Sequence, residues 1–139
     1  MLQKLSGVPR AMAPRRVVPR QTPPGPQPLL RPMAGVVTRG VQPGHPALDI
    51  ACFEGTPVRA AHDGQGRSMR SHTHGNVFVL RAADGLETSY AHLQSTKVAG
   101  PYKRGDVVGT CGNTGAWTTG PHLHFESNQP ERLLRLSDT

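Results

Sequence analysis

Four residues of this chain have the side-chain types and spacing of a metal site. His122 and His124 flank Leu123 in a β-like run, and side chains two apart on a strand point to the same face. His45 and Asp49 lie four residues apart at the start of another β-like run. If two of these three imidazoles and the carboxylate of Asp49 bind a zinc ion, its fourth tetrahedral position is left open, which is typical of a catalytic site. For His45 and Asp49 taken alone, a surface salt bridge is the alternative.

A further run, residues 90–93, contributes Tyr90 and His92. On a regular strand these two side chains share a face. A histidine beside a metal-bound water can transfer a proton or stabilise an oxyanion. The remaining histidines, His62, His72 and His74, match no such pattern, and we predict that they lie on the surface.

Short strands are the elements that must position these side chains. Six residues are Phe, Trp or Tyr, whereas Gly and Pro together make 30, a mix that favours strands and tight turns over long helices. The Asp84-Gly85 step between two β-like runs predicts a hairpin. Strands are predicted over residues 47–52, 57–61, 76–82, 86–93, 106–111 and 122–126, with a weak helical turn at 131–136. Residues 64–76 and 97–104 are expected to be loops beside the site. The predicted fold class is all-β.

Charge and proline content divide the chain into three segments. Residues 1–34 hold six basic residues, no acidic residue and eight of the 14 prolines, so they are predicted to form an extended arm or linker. Residues 35–130 are predicted to form the folded domain, and residues 131–139 a tail. The remaining ten basic residues nearly balance the nine acidic ones, so most of the net charge of +7 belongs to the arm.

The basic arm predicts an anionic partner, which could be a glycopolymer, nucleic acid or an acidic protein surface. We expect the partner to be a virion component or another protein. Nucleic acid is less favoured, because only the charge of the arm supports it. A solvated, disordered arm without a partner is the alternative. No run of 18 apolar residues predicts a membrane span. The N-terminus has no recognisable signal peptide, because Pro9, Pro14 and Pro19 interrupt it.

Cys52 and Cys111 are the two cysteines of the chain. They form no C-x-x-C pair and no cysteine-rich zinc pattern. The sequence leaves open a single disulfide between them or two small buried thiols.

Residues 44–126 resemble the M23 peptidase family, the lysostaphin-like or LytM domain. The resemblance rests on six motifs in the family's order and spacing: His45 with Asp49, GTPV at 55–58 followed by Ala60, YAHL at 90–93, Gly105 with Gly109, GNTG at 112–115, and TGPHLHFE at 119–126. One departure concerns the aromatic residue that the family often has before the first histidine. Residues 36–41 offer no clear match, so the role of that aromatic residue in assisting the oxyanion is unfilled here or passes to another group.

The resemblance implies an antiparallel β-fold with a zinc ion at the floor of a groove. It implies His45, Asp49 and His124 as zinc ligands, and His92 and His122 as the catalytic pair. His122 is predicted as the general base and His92 as the oxyanion-stabilising residue, although the two roles could be exchanged. Tyr90 and Asn113 are expected to bind substrate, with a purely structural turn role as the alternative for Asn113.

The function that follows is a zinc metalloendopeptidase that hydrolyses peptide cross-links of bacterial peptidoglycan and acts at the cell wall. The absence of a recognisable signal peptide favours a phage endolysin or a virion-associated hydrolase. The alternative is a non-catalytic or mainly structural component of the same fold, which binds peptidoglycan or a protein partner in a virion, tail or cell-wall assembly.

Overall fold

The protein consists of two antiparallel β-sheets in a computed structural model that describes residues 27–139. The strands in chain order are β1 (Val37–Arg39), β2 (Ala47–Ala51), β3 (Pro57–Arg59), β4 (Gly64–Ser71), β5 (Gly75–Arg81), β6 (Glu87–Leu93), β7 (Ser95–Thr96), β8 (Gly100–Tyr102), β9 (Val107–Thr110) and β10 (His122–Ser127). A 3-10 helix, Pro130–Leu134, follows β10. The larger sheet has the strand order β1-β2-β10-β6-β5-β4-β8, and the smaller sheet has the order β3-β9-β7. The predicted antiparallel all-β fold is confirmed.

The six predicted strands are present, with ends that differ from the prediction by no more than two residues. The loop predicted over residues 64–76 is wrong for its first part, which forms β4. Most side chains of β4 are exposed, so its sequence lacks the alternation of buried and exposed residues that identifies a half-buried strand. Its pairing with β5 and β8 holds it in the sheet instead. The loop predicted over residues 97–104 likewise contains β8.

Alternation along β10 and β2 separates the core from the site. Leu123 and Phe125 of β10 are fully buried, and Leu48 and Ile50 of β2 pack with them in one apolar cluster. The residues between them, among them Asp49, are only partly buried and face the other side of the sheet. Sheet pairing therefore presents one polar face above a packed core.

A disulfide joins Cys52, just after β2, to Cys111, just after β9. Two backbone hydrogen bonds accompany it, from Gly55 N to Cys111 O and from Cys111 N to Thr56 O, each 2.8 Å long. Of the two arrangements that the sequence leaves open, the structure has the disulfide. It connects the strand that carries Asp49 to the segment that follows the smaller sheet.

Both ends of the described chain pack onto the domain. Leu29 and Met33 are 1% and 5% exposed, and Leu133 is 3% exposed within the same core cluster. Ser137 N donates to Leu29 O at 2.8 Å, so the two ends also contact each other. The predicted boundaries at residues 34 and 130 are therefore wrong for this part of the chain, because apolar side chains beyond them complete the core. Residues 1–26, the rest of the predicted arm, lie outside the described residues.

No helix within residues 27–139 is long and apolar enough to cross a membrane.

Candidate metal centre and catalytic groove

Pairing between β2 and β10 brings Asp49 opposite His124. Residues directly opposite in an antiparallel pair project to the same face, and here that face is the one turned away from the core. His124 Nδ1 lies 2.9 Å from Asp49 Oδ1. Two strands distant in sequence thus place a carboxylate and an imidazole in contact.

His45 completes this group from the turn that precedes β2. Its side chain is almost fully buried, and its Nδ1 donates to the carbonyl of Gly40 at 2.8 Å. The other nitrogen, Nε2, is buried without a hydrogen-bond partner, although Asp49 Oδ2 lies 3.3 Å away. A buried, unpartnered lone pair beside a carboxylate is the environment that a metal ligand requires. Ligand atoms of His45, Asp49 and His124 all lie within 4.8 Å of one another.

Glu126 contacts His124, one of the three candidate metal ligands, from the other side of its ring. His124 Nε2 lies 2.9 Å from Glu126 Oε1. Burial by itself would lower the pKa of His124, but the hydrogen bonds to Asp49 and Glu126 raise it to about 9. The hydrogen bond from His124 in turn lowers the pKa of Glu126. Glu126 is not among the predicted site residues, although residues 122, 124 and 126 share a strand face and strict alternation indicates its position.

The carboxylate at the centre of the group is held in its charged form. Burial would raise the pKa of Asp49, but the hydrogen bond from His124 and the nearby charges of His124, His45 and His122 lower it. Asp49 is therefore available as an anionic ligand near neutral pH.

His122 and His92 stand beside the metal-site residues, with ring centroids 4.7 Å apart. His122 Nδ1 donates to the carbonyl of Gly120 at 2.8 Å, and His92 Nδ1 donates to the carbonyl of Thr114 at 2.7 Å. Each Nδ1 therefore carries the proton in the neutral ring, and each Nε2 presents a lone pair. His122 Nε2 lies 3.9 Å from Asp49 Oδ1. Burial lowers the pKa of His92, which favours its neutral form.

A β-bulge in β6 turns His92 toward this group. Asn76 of β5 pairs with Leu93, but Phe78 pairs with Tyr90, so β6 contains one extra residue in this stretch. His92 has φ of +63°, a left-handed backbone conformation that is uncommon for residues other than glycine. The expectation that Tyr90 and His92 share a face is therefore wrong, because the bulge breaks the two-residue period between them.

Tyr90 lies in the core and not in the groove, which corrects its predicted role in substrate binding. Its side chain is fully buried, and its hydroxyl accepts from Ala61 N at 2.9 Å and contacts Thr88 Oγ1 at 2.8 Å. Burial raises its pKa to about 12. No surface of this side chain is free to contact a ligand.

Two of the three histidines predicted to lie on the surface do not lie there. His62 is 9% exposed, and its Nε2 lies 2.8 Å from Thr88 Oγ1. His74 is partly buried beside the metal-site group, with its ring 5.4 Å from that of His124 and 5.7 Å from that of His92. His72 is exposed, as predicted. Nothing in the local sequence of His74 distinguishes it from a turn residue, because its position depends on how the turn docks.

Asn113 is exposed and does not line the groove around the metal-site residues. Its Oδ1 accepts a hydrogen bond from Thr118 Oγ1, and Thr118 lies 3.3 Å from His122 Nδ1. The structure thus places Asn113 behind the residues that support His122, and its predicted contact with substrate stays a prediction.

The site residues line a groove of about 570 Å³. Arg39, Pro46 and Glu126 border it, and so does Trp117, whose side chain is 68% exposed. A second depression continues from His74 and His124 over Val77, Val79 and Ala91 on the open face of the larger sheet. An extended chain could therefore cross the metal-site residues and lie along the sheet.

Comparisons with known proteins identify a matching family and two curated relatives. Residues 43–135 match Peptidase family M23. Over 88 residues the chain is 43% identical to the DD-carboxypeptidase/endopeptidase Mpg of Neisseria meningitidis, covering 60% of this chain and 20% of that protein. Over 93 residues it is 39% identical to the peptidoglycan DD-endopeptidase ShyB of Vibrio cholerae, covering 65% of this chain and 21% of that protein. The chain spans about a fifth of the length of these curated relatives.

A solved structure shows the same fold. The crystal structure of a zinc-containing peptidase from Vibrio cholerae superposes with a TM-score of 0.66 at 28% identity, covering 73% of this chain and 36% of that one.

Proposed function

This chain belongs to peptidase family M23, and we propose that it is a zinc endopeptidase that hydrolyses peptide cross-links of bacterial peptidoglycan. Members of this family are generally zinc-dependent peptidoglycan endopeptidases, and the relatives above include a zinc-containing peptidase and a peptidoglycan DD-endopeptidase. The activity and the wall substrate are proposals for this chain, which covers only part of each relative.

The unpartnered Nε2 of His45 is the observation that carries the proposal. A buried ring nitrogen without a hydrogen bond is costly unless something else satisfies it. With Asp49 Oδ2 at 3.3 Å and His124 in the same group, the donors comprise two imidazoles and one carboxylate. This set fits zinc and leaves one position open. The Gly40 carbonyl behind His45 and the Glu126 carboxylate behind His124 supply the outer hydrogen bonds typical of such ligands.

A zinc ion in this site would polarise the scissile carbonyl and lower the pKa of a water molecule toward about 7. The residues of the chain supply the remaining chemistry. His122 would take the proton of the attacking water, because its Nε2 has a lone pair and lies 3.9 Å from Oδ1 of Asp49, a proposed zinc ligand. It then passes the proton to the leaving amine.

His92 is less suited to donate to an oxyanion than the resemblance to the family implies. Its Nδ1 proton is committed to Thr114, so its Nε2 could donate only if the ring were protonated, which burial disfavours. As a neutral ring 4.7 Å from His122, it is suited to share the proton that His122 accepts.

The bond cut is proposed to be a DD cross-link of the peptide stems. Two of the relatives named above are a DD-carboxypeptidase/endopeptidase and a peptidoglycan DD-endopeptidase. The groove supports an endopeptidase because it continues beyond the metal-site residues onto the open face of the sheet. The site of action that follows is the cell wall.

Zinc titration combined with a defined substrate tests this proposal. Calorimetry of the metal-free chain should show one zinc ion bound, and the zinc-loaded chain should cleave a purified DD-cross-linked muropeptide dimer into two monomers. A chelator should stop cleavage, and added zinc should restore it. Intact dimer after incubation with a fully loaded chain would contradict the proposed reaction, and a chain that takes up no zinc would contradict the metal site.

A further inference from the structure

The turn between β4 and β5 is fixed against the segment that leads to the site. Ala116 N donates to His72 O at 2.9 Å, and Trp117 N donates to Thr73 O at 3.0 Å. Gly75 has φ of +68°, and a Cβ added there would lie 2.3 Å from Thr114 Oγ1. Only glycine permits so close an approach. The turn is therefore docked, and His74, the second of its two histidines, has a defined position.

That histidine, His74, faces the reacting groups. Its ring lies 5.7 Å from that of His92 with an interplanar angle of 25°, 5.4 Å from that of His124, and 5.4 Å from that of Trp117. Its backbone carbonyl accepts from His92 N at 2.8 Å. The side chain also lines both the groove at the metal-site residues and the depression that continues along the sheet. A substrate crossing from one to the other would pass over this ring.

The tautomer available to His74 differs from those of the other histidines in the groove. In His45, His92 and His122, Nδ1 donates to a backbone carbonyl, so a neutral ring has no proton on Nε2. Both nitrogens of His124 face carboxylates. His74 Nδ1 instead lies 3.0 Å from Thr73 Oγ1, a hydroxyl that can donate to it. A neutral His74 can therefore carry its proton on Nε2.

We propose that His74 is a further catalytic residue, which donates a hydrogen bond from Nε2 to the carbonyl oxygen of the scissile peptide as negative charge develops there. This inference rests on the proposed function of the same groove. No bond to His74 forms or breaks, and its proton stays on the ring throughout. The contribution is a fixed N–H dipole aimed at the transition state, an arrangement that is worth about 10²–10³ in kcat in other enzymes.

Two substitutions separate the hydrogen bond from the bulk of the ring. His74→Phe keeps an aromatic ring against His92 and Trp117 but has no donor, whereas His74→Gln keeps an N–H donor without the ring. His72, exposed in the same turn, provides matched controls as His72→Phe and His72→Gln. All variants should bind one zinc ion. On the muropeptide dimer, His74→Phe should lower kcat about 100-fold with little change in KM. His74→Gln should retain most of the wild-type kcat. Both His72 variants should have the kcat and KM of the wild type.

Two measurements that do not depend on turnover accompany the kinetics. Long-range ¹H–¹⁵N NMR of the zinc-loaded chain should show His74 protonated on Nε2, and Thr73→Val should reduce that preference. A phosphinate analogue of the cross-link mimics the tetrahedral transition state, so its affinity should fall in His74→Phe by the same factor as kcat/KM.

Several results would overturn the role of His74. A His74→Phe variant with wild-type kcat would do so, and so would a His74 ring protonated on Nδ1. A His74→Phe variant that loses zinc would show that the residue is structural. A loss confined to KM, with equal loss of affinity for cleaved product, would make it a groove wall only. An inactive wild-type chain that binds no phosphinate would instead remove the proposed function itself, and this role with it.

Discussion

Glu126 Oε1 lies 2.9 Å from His124 Nε2, while Nδ1 of the same ring faces Asp49. With the proposed zinc ion on the Nδ1 side, Glu126 would be the acceptor that keeps the remaining proton on Nε2. The carboxylate would thereby fix the tautomer and the orientation of His124 as a zinc ligand.

Glu126→Ala is expected to weaken zinc binding about 10- to 100-fold, because the ring of His124 loses the partner that fixes its tautomer. Glu126→Gln should lose less, since an amide oxygen can still accept the Nε2 proton. Competition between each variant and a chelator of known zinc affinity measures the effect. Glu131→Ala, an exposed acidic position in the 3-10 helix, is the control and should bind zinc normally. Equal affinity for all the chains would refute this role of Glu126.

His122 and His124 are expected to separate catalysis from metal binding, although they lie two residues apart on β10. His124→Ala removes a proposed ligand and should abolish both zinc binding and cleavage. His122→Ala should bind one zinc ion and lose cleavage by a factor of at least about 100. Elemental analysis of the purified variants and turnover of the muropeptide dimer measure both properties. Normal turnover in His122→Ala would exclude His122 as the general base.

Acid should destabilise the domain through His62. Burial lowers its pKa in the folded state below the ordinary value near 6.5, so its contribution to stability is complete above pH 6.5 and is lost as the pH falls below it. His62 Nδ1 donates to Asp63 O, and Nε2 accepts from Thr88, whose hydroxyl contacts that of Tyr90. A protonated Nε2 could no longer accept, and this buried network would have to rearrange.

Urea unfolding at pH 7.5 and pH 5 tests this prediction. The wild type should lose more stability between the two pH values than His62→Gln, which cannot titrate. Comparing the two chains cancels the pH dependence of the other histidines. Identical pH dependence in the two chains would show that His62 plays no part.

The Cys52–Cys111 disulfide should stabilise the domain independently of zinc. It joins residues 59 apart in sequence, and loop-closure entropy then gives a contribution of about 4 kcal/mol, with measured values for native disulfides of about 2–5 kcal/mol. The free energy of unfolding of the wild type, measured in denaturant, should fall by this amount on reduction with a phosphine that does not compete for zinc. The Cys52→Ala/Cys111→Ala variant should be unaffected by the reductant. An unchanged unfolding midpoint in the reduced wild type would contradict the prediction.

Regular alternation explains which parts of the site the sequence predicts. Asp49, His122 and His124 lie on regular strands, so the face they share follows from a period of two. Glu126 follows the same two-residue period, so its position on the face of His122 and His124 is equally predictable from the sequence. His92 does not, because a bulge and a positive φ reverse its direction relative to Tyr90.

His74 and His62 depend on contacts that no local pattern records. His74 enters the groove because its turn docks on a segment about 40 residues later in the chain. His62 is buried because Thr88, 26 residues away, provides a polar partner in the core. A phage or virion setting, and a partner for residues 1–34, stay predictions from the sequence.

Mass spectrometry of muropeptides released from purified sacculi tests whether the zinc-loaded chain cuts the cross-links of peptidoglycan. Sacculi should be treated with the zinc-loaded chain, the chelated chain and the zinc-loaded chain carrying His124→Ala. Of the three samples, only the zinc-loaded wild type should convert cross-linked dimers to monomers with free ends at the DD bond, and added zinc should restore conversion by the chelated chain. Equal conversion in all three samples, or intact cross-links after treatment with the zinc-loaded wild type, would show that the chain is not a zinc endopeptidase of peptidoglycan.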